Sequence, residues 1–477
     1  MSEDVTAWLA ANAVHLDSLT AGSPSADLMP LKRTLAGVRA VGLGEATHGT
    51  REFFQLKHRL LEFLVTEMGF SVLAMEASAS AALAVDAYVT HGVGEAEEVL
   101  AGLGFWTWRT YEVLDVIEWL RAYNRERPDA EKVRFVGIDP QRCGDSVAAL
   151  DTFLRAAVPE RAAAFRTVLG GLADAAPGSA WELVSEPVSE PVSELVSEQP
   201  RSDPRHPWTR EAGELADFLE RNAADLTRLT SAARVDTARS HARLLVRAAD
   251  LASRPLHHED PEHTAFAVRD RYMAEAVAAL LDRDDAPKVA VWGHNGHIMT
   301  GHYGGAGGGG GDRGGVPALG WHLRQRYDEA YYGLGLLFGK GAFRAWRAGR
   351  RALARPASAR RRRPVRNTIG APSYGSGSGS SSGSGSGIGS GSRFVEATLS
   401  GAVAGLHMVN LRADDVSPAV ARWLREPHLT RSFGACVPRF TYRLSAMPTV
   451  LAEEYDGLVF VPESTCSRPL PGADPAS

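Results

Sequence analysis

VRAVGLGEATHGTREFFQLKHRLLEFLV, residues 38–65, changes its periodicity halfway through. Up to Gly44 it is a short apolar run of the kind that forms a buried strand, and beyond Thr50 it becomes amphipathic with helical spacing. Phe53, Lys57, Leu60 and Leu64 fall on one stripe, and Gly69 is placed to cap the helix C-terminus. An acid and an imidazole, Glu45 and His48, stand at the seam. The same alternation repeats downstream. SVLAMEAS (71–78) and VRFVGIDP (133–140) read as further strands with helical stretches between them, and KVAVWGHNGH (288–297), YYGLGLLFG, LHMVNL and DGLVFVPES read as more sheet. Strands separated by helices predict an α/β fold with a central, largely parallel sheet flanked by helices, because parallel neighbours need a crossover connection.

Between these strands lies a mostly helical region, expected to be an inserted subdomain. The expected organisation is a first half of the α/β core at 1–144, a helical insertion at 145–285, and a second part of the core at 286–343. A disordered arginine-rich and Gly/Ser-rich loop (344–392) and a C-terminal part of the core (393–477) complete it. The insertion contains WELVSEPVSEPVSELVSEQP, at the start of an acidic repeat region (181–204) too polar and proline-broken to pack. The Gly/Ser tract at 375–392 has the composition of a flexible tether.

Bulk properties narrow the function. With 477 residues, 44% of them hydrophobic, the chain can bury a large core, and a formal charge of -5 gives no overall field toward nucleic acid or anionic lipid. Ten arginines crowd residues 344–366, but no stacking platform or known binding module accompanies them, so a solvated loop is the expectation there. The expected partner is a small molecule, with neither nucleic acid nor membrane, and the oligomeric state is not legible. Cys143, Cys436 and Cys466 are scattered, and the acidic, helical N-terminal stretch lacks a secretory pattern, which together predict a cytoplasmic protein.

The strand ends carry the chemistry. The run at 38–44 leads into Glu45 and His48, SVLAME ends on Glu76, VRFVGID ends on Asp139, and KVAVWG leads into His294 and His297. In a parallel sheet those ends share one edge, so these groups are expected to converge on one crevice. Singly each has an ordinary structural explanation: a loop acid or helix cap for Glu45 or Asp139, a satisfied histidine for His48, a turn at Asn295–Gly296. Lys57 sits on the apolar stripe, where it either reaches the crevice or snorkels to solvent.

Two routes fit such a cluster. Either a carboxylate-paired histidine takes a proton from water, imidazole titrating ordinarily near ~6.5, or His48, Glu76, His294 and His297 hold a divalent metal that activates water. No HExxH helix is present. A serine nucleophile is not supported, because G-x-S-x-G occurs only as GSSSG inside the tether, and no cysteine adjoins a histidine-bearing strand end.

GEATHGT (44–50), GFSVLAMEAS (69–78), WTW (106–108), WLRAYN (119–124), VGIDPQ (136–141), RDRYMAE (269–275) and VWGHNGHI (291–298) together resemble the erythromycin esterase family, in order and spacing, over nearly the whole chain. The resemblance implies hydrolysis of a lactone or other carboxylic ester, in the manner of a macrolide esterase linked to antibiotic resistance, without a serine nucleophile or an obligatory cofactor. It puts the general base on His48, with Glu45, Glu76, His294 and His297 completing the catalytic set, while Asp139, Lys57, Trp106 and Arg269 are expected to bind substrate. Asp270 is expected to support the site. The acidic repeat, the glycine tract and the arginine-to-Gly/Ser run depart from the family pattern as enlarged loops. A metal-dependent hydrolase and a non-catalytic binder of a bulky natural product stay open as alternatives.

Overall fold

The computed structural model describes residues 3–174, 206–255, 258–303, 315–348, 364–372, 394–413 and 416–471. The acidic repeat, the glycine tract and the Gly/Ser tether lie outside these residues. Among the described residues ten strands build one sheet: β1 Ala13–His15, β2 Ala40–Leu43, β3 Phe70–Ser78, β4 Arg134–Asp139, β5 Lys288–Trp292, β6 Tyr331–Ala348, β7 Val365–Ile369, β8 His407–Asn410, β9 Cys436–Pro438 and β10 Gly457–Ser464. Their order is β1-β8-β10-β6-β2-β5-β3-β4, with β7 and β9 pairing to the far end of β6. From β10 to β4 every pairing is parallel, and β1 and β8 add an antiparallel edge. This is the largely parallel, helix-flanked sheet that the alternating pattern predicts.

The middle of the sheet decides where a ligand can sit. From β2 the chain crosses through the helix Arg51–Met68 to β3 on one side, whereas the segment after β5 returns to β6 on the other. The C-terminal ends of β2 and β5 therefore flank a switch point, where diverging connections leave a crevice. Two glycines permit the close approach there. A Cβ on Gly44 would lie 2.1 Å from Asn295 Oδ1, and one on Gly49 would lie 2.0 Å from the Arg344 carbonyl oxygen. Gly69 caps the first crossover helix at φ 73°, a left-handed conformation that glycine adopts without penalty.

The strands read as near-continuous apolar runs because both faces are covered: Val41, Leu43, Leu73, Ala74, Val289 and Val291 are all buried. A separate core, built on Leu150, Leu154, Phe165, Leu215, Leu219 and Leu245, holds the helices of the 143–249 region together. The helix Ala265–Leu281 differs. Met273, Val277 and Leu281 bury themselves in the core of the sheet, which brings the helix start, Arg269 and Asp270, to the strand ends. One expectation is corrected: residues 344–348 and 365–369 are strand, not loop. β6 runs past the Gly339-Lys340-Gly341 stretch that looks like its end, and pairs with β7 and β9. The arginines at 350–363 lie outside the described residues. Among the described residues no helix is long and apolar enough to cross a membrane.

The C-terminal part contains a buried acid with one oxygen unpartnered among the described residues. Glu396 is fully buried; its Oε1 accepts from the Arg431 backbone N–H at 2.7 Å, and its Oε2 has no partner among the described residues. Burial pushes the carboxyl up to about 7. A folded-state value above the unfolded one makes the contribution most favourable while both states are protonated, below the unfolded value near 4.5, and it is lost as pH rises toward 7. Glu396→Gln is expected to flatten the fall in melting temperature between about pH 5 and 8, a loss worth about 3 kcal/mol in the wild type. Thermal unfolding across that range checks it.

Candidate active site

The loop after β2 turns Glu45 and His48 toward the crevice, and the two form a tight pair. His48 Nδ1 lies 2.6 Å from Glu45 Oε1. Glu45 is fully buried, while 12% of the His48 side chain stays exposed. Nearly two turns into the following helix, Lys57 donates to Glu45 Oε2 at 2.6 Å and to the Gly293 carbonyl at 3.0 Å. It does not snorkel: it is 0% exposed and its ammonium lies 4.7 Å from the Trp292 ring centroid. Burial, opposed by the attraction of Glu45, brings Lys57 down to about 8. With Glu45 accepting from Nδ1–H, the lone pair of His48 is on Nε2, which has no partner among the described residues.

His294 faces this pair from the end of β5, its ring 5.0 Å from the His48 ring. Its Nδ1 accepts from the Gly296 backbone N–H at 3.2 Å, so the neutral ring carries its proton on Nε2. That Nε2 is buried and has no partner among the described residues. Burial, reinforced by His48, holds His294 well below the usual histidine range. The result is a neutral N–H donor facing His48 Nε2.

A denser network lies behind them. Glu76 Oε1 accepts from Arg269 at 2.8 Å and lies 3.1 Å from His297 Nε2, while Oε2 accepts from the His294 backbone N–H at 2.9 Å. Burial would raise the Glu76 carboxyl, but His297, Arg269 and His48 outweigh it and hold it well below the carboxylate range. Arg269 also donates to Asp139 Oδ2 at 2.7 Å. His297 Nδ1 lies 2.7 Å from Asp270 Oδ1 and 2.6 Å from the Tyr303 hydroxyl. Although burial disfavours the charged ring, Asp270 and Glu76 push His297 up to about 9, so it is a cation at neutral pH. Its Nε2 also touches Arg269 Nη1 at 2.9 Å. Two cations tolerate that contact because carboxylates flank both.

The structure thus brings Glu45, His48, Lys57, Glu76, Asp139, Arg269, Asp270, His294 and His297 into one linked cluster. Four carboxylates face three cations, Lys57, Arg269 and protonated His297. Trp106 is set further out. It packs on Trp346 at 6.3 Å with the Arg344 guanidinium 5.4 Å away, while Trp108 stands edge-on to His48 at 5.6 Å and donates to the Glu76 carbonyl. Trp108 and Tyr303 are absent from the sequence-derived set. Trp108 lies in the same WTW run as Trp106, whereas Tyr303 adjoins a glycine tract with no periodicity to reveal it.

As metal ligands the four candidates are poorly placed, since Glu76 and His297 already spend their lone pairs or protons on Arg269, Asp270, the His294 amide and each other. Among the described residues no group of three or more His, Cys, Asp or Glu is arranged to hold an ion. Cys143 and Cys436 are buried, and burial pushes the Cys143 thiol up to about 12, away from nucleophilic use.

A sequence model of the erythromycin esterase family matches residues 65–464, most of the chain. The chain belongs to that family. Erythromycin esterase type II of Escherichia coli is 34% identical over 120 residues, 25% of this chain and 28% of that one. The putative hydrolase YbfO of Bacillus subtilis is 28% identical over 156 residues, 32% of this chain and 33% of that one. The matched stretches thus span about a third or less of these curated relatives. Solved structures extend the likeness of fold over the full length. A Bacillus cereus protein aligns with a TM-score of 0.71 at 21% identity over 98% of both chains, and a succinoglycan biosynthesis protein with 0.70 at 20% over 98% of both. An erythromycin esterase mutant in its open conformation aligns with 0.59 at 18% identity over 93% of this chain and 95% of that one.

Proposed function

We propose that this family member is a hydrolase that cleaves a lactone or other carboxylic ester with a histidine-activated water and no covalent acyl-enzyme. The observation that carries the reading is the Lys57–Glu45–His48 chain, two contacts of 2.6 Å that leave His48 Nε2 as a partly exposed base opposite the unpartnered N–H of His294. Water gives its proton to His48 Nε2 as its oxygen attacks the carbonyl carbon, and His294 Nε2–H donates to the oxyanion that forms. As the tetrahedral intermediate collapses, the ester C–O bond breaks and the imidazolium returns the proton to the leaving alkoxide. The products are an acid and an alcohol.

The charge balance supports the first step. With four buried carboxylates against three cations, a positive charge on His48 completes the cluster, so the imidazolium formed in the transition state is favoured by charges already in place. Asp139, Arg269 and Asp270 act here as positioning residues for Glu76 and His297. A macrolide substrate, suggested by the erythromycin in the name of the Escherichia coli relative, and with it a role in resistance, are part of the proposal. Incubation with a panel of macrolides and simpler esters, followed by mass spectrometry for the gain of one water, tests the function; no hydrolysis of any member by the wild type counts against it.

The pH dependence has a definite sign. Lys57 and His297 are cations at low pH and lose their protons at about 8 and about 9. Both charges are present below pH 8, so kcat/KM is expected to fall above it, as Glu45 and Glu76 lose their counter-charges. A pH–rate profile that stays level to about pH 10 contradicts this assignment.

A further inference from the structure

We propose that the face around Phe440 and Leu444 docks peripherally on an anionic lipid surface. These are the most exposed large apolar side chains among the described residues, at 82% and 81%. They are held out by their own segment. Tyr442 between them is buried, its hydroxyl donating to the Thr368 carbonyl at 3.0 Å and accepting from the Thr368 N–H at 3.3 Å on β7. The anchor therefore turns inward and its two apolar neighbours turn outward.

Basic groups surround them. The Arg439 guanidinium lies 5.2 Å from the Phe440 ring centroid, and Arg443 and Arg347 flank the Tyr442 ring at 5.6 and 5.4 Å. Arg443 donates to the Thr368 carbonyl and hydroxyl, both neutral acceptors. No Asp or Glu occurs in the described segments 344–348, 364–372 and 427–452. In a chain with an overall charge of -5, Arg439 and Arg443 thus set positive charge beside the two exposed apolar side chains.

The combination selects a bilayer. Arginines alone would serve any polyanion, but an exposed leucine offers a nucleic acid no stacking surface, whereas lipid headgroups and acyl chains reward basic and apolar side chains together. A second copy of the chain would bring like charges together. The face also lies on the catalytic side of the sheet. The Arg344 N–H of β6 donates to the Gly49 carbonyl beside His48 at 3.0 Å, and Arg347 follows about 10 Å further along the strand. Delivery of a lipid-dissolved ester to the crevice rests on the hydrolase reading; the docking does not.

The test is co-sedimentation of the full chain with phosphatidylcholine vesicles, with and without phosphatidylglycerol. Binding is expected only with the anionic lipid, weakening as salt is raised, and falling about tenfold in Phe440→Ser/Leu444→Ser and again in Arg439→Gln/Arg443→Gln. Both pairs are at the surface, and unchanged melting confirms that they fold. Absence of phosphatidylglycerol-dependent binding overturns the proposal, as does binding that the apolar pair does not affect. Retention on heparin or an oligonucleotide without vesicle binding would overturn it in favour of a polyanion.

Discussion

His48→Ala is expected to lower kcat about 10³-fold on whichever ester the chain turns over, with KM changed by less than about threefold. The size follows from the role. Removing the imidazole deletes the proton acceptor for water but leaves the crevice, the His294 donor and the Glu76–Arg269–His297 network in place. The fold should tolerate it. His48 bonds to Glu45 alone among the described residues, and Glu45 keeps Lys57 at 2.6 Å when the ring is gone. A melting temperature within a few degrees of wild type, measured beside the kinetics, separates lost chemistry from lost structure. Ligand binding without turnover in both wild type and His48→Ala would instead favour a silent binding protein.

Lys57→Met carries the largest expected cost in stability, about 3–5 kcal/mol at neutral pH. Lys57 and Glu45 are both fully buried, and removing the ammonium leaves a buried carboxylate without its cation at 2.6 Å. Activity should fall as well. Without the Lys57 contact Glu45 is held only by His48, and it fixes the imidazole less firmly. The double variant Lys57→Met/Glu45→Leu distinguishes the two effects, because deleting both partners removes the buried charge. Denaturant unfolding is expected to recover most of the lost stability while turnover stays low. If Lys57→Met alone unfolds at the wild-type denaturant concentration, the buried ion pair does not hold the base in place.

Much of this was legible in the sequence, because a parallel sheet converts a one-dimensional pattern into a shared edge. Glu45, His48, Glu76, Asp139, His294 and His297 each follow a short apolar run, and the pairing of β2, β3, β4 and β5 gathers them. Lys57 was visible only as a polar residue on an apolar stripe, which helical spacing alone cannot distinguish from a snorkelling side chain; its contacts with Glu45 and Gly293 depend on β5 lying beside β2. Tyr303 had no signal. Its hydroxyl reaches His297 from a two-residue strand bordering a glycine tract, where neither periodicity nor a flanking turn marks a half-buried side chain. The length of β6 was hidden for a related reason: Gly339, Lys340 and Gly341 imitate a strand end, yet Gly341 adopts φ 130° and the strand continues to Ala348.

The central claim is that Glu45 fixes His48 with its proton on Nδ1, leaving Nε2 as the base. Long-range 15N NMR of histidine-labelled protein, with the His48 signals assigned by their loss in His48→Ala, reports that tautomer directly. At neutral pH the account predicts a protonated Nδ1 and a bare Nε2, with the preference lost in Glu45→Gln. A His48 ring carrying its proton on Nε2, or a tautomer indifferent to Glu45→Gln, would contradict it.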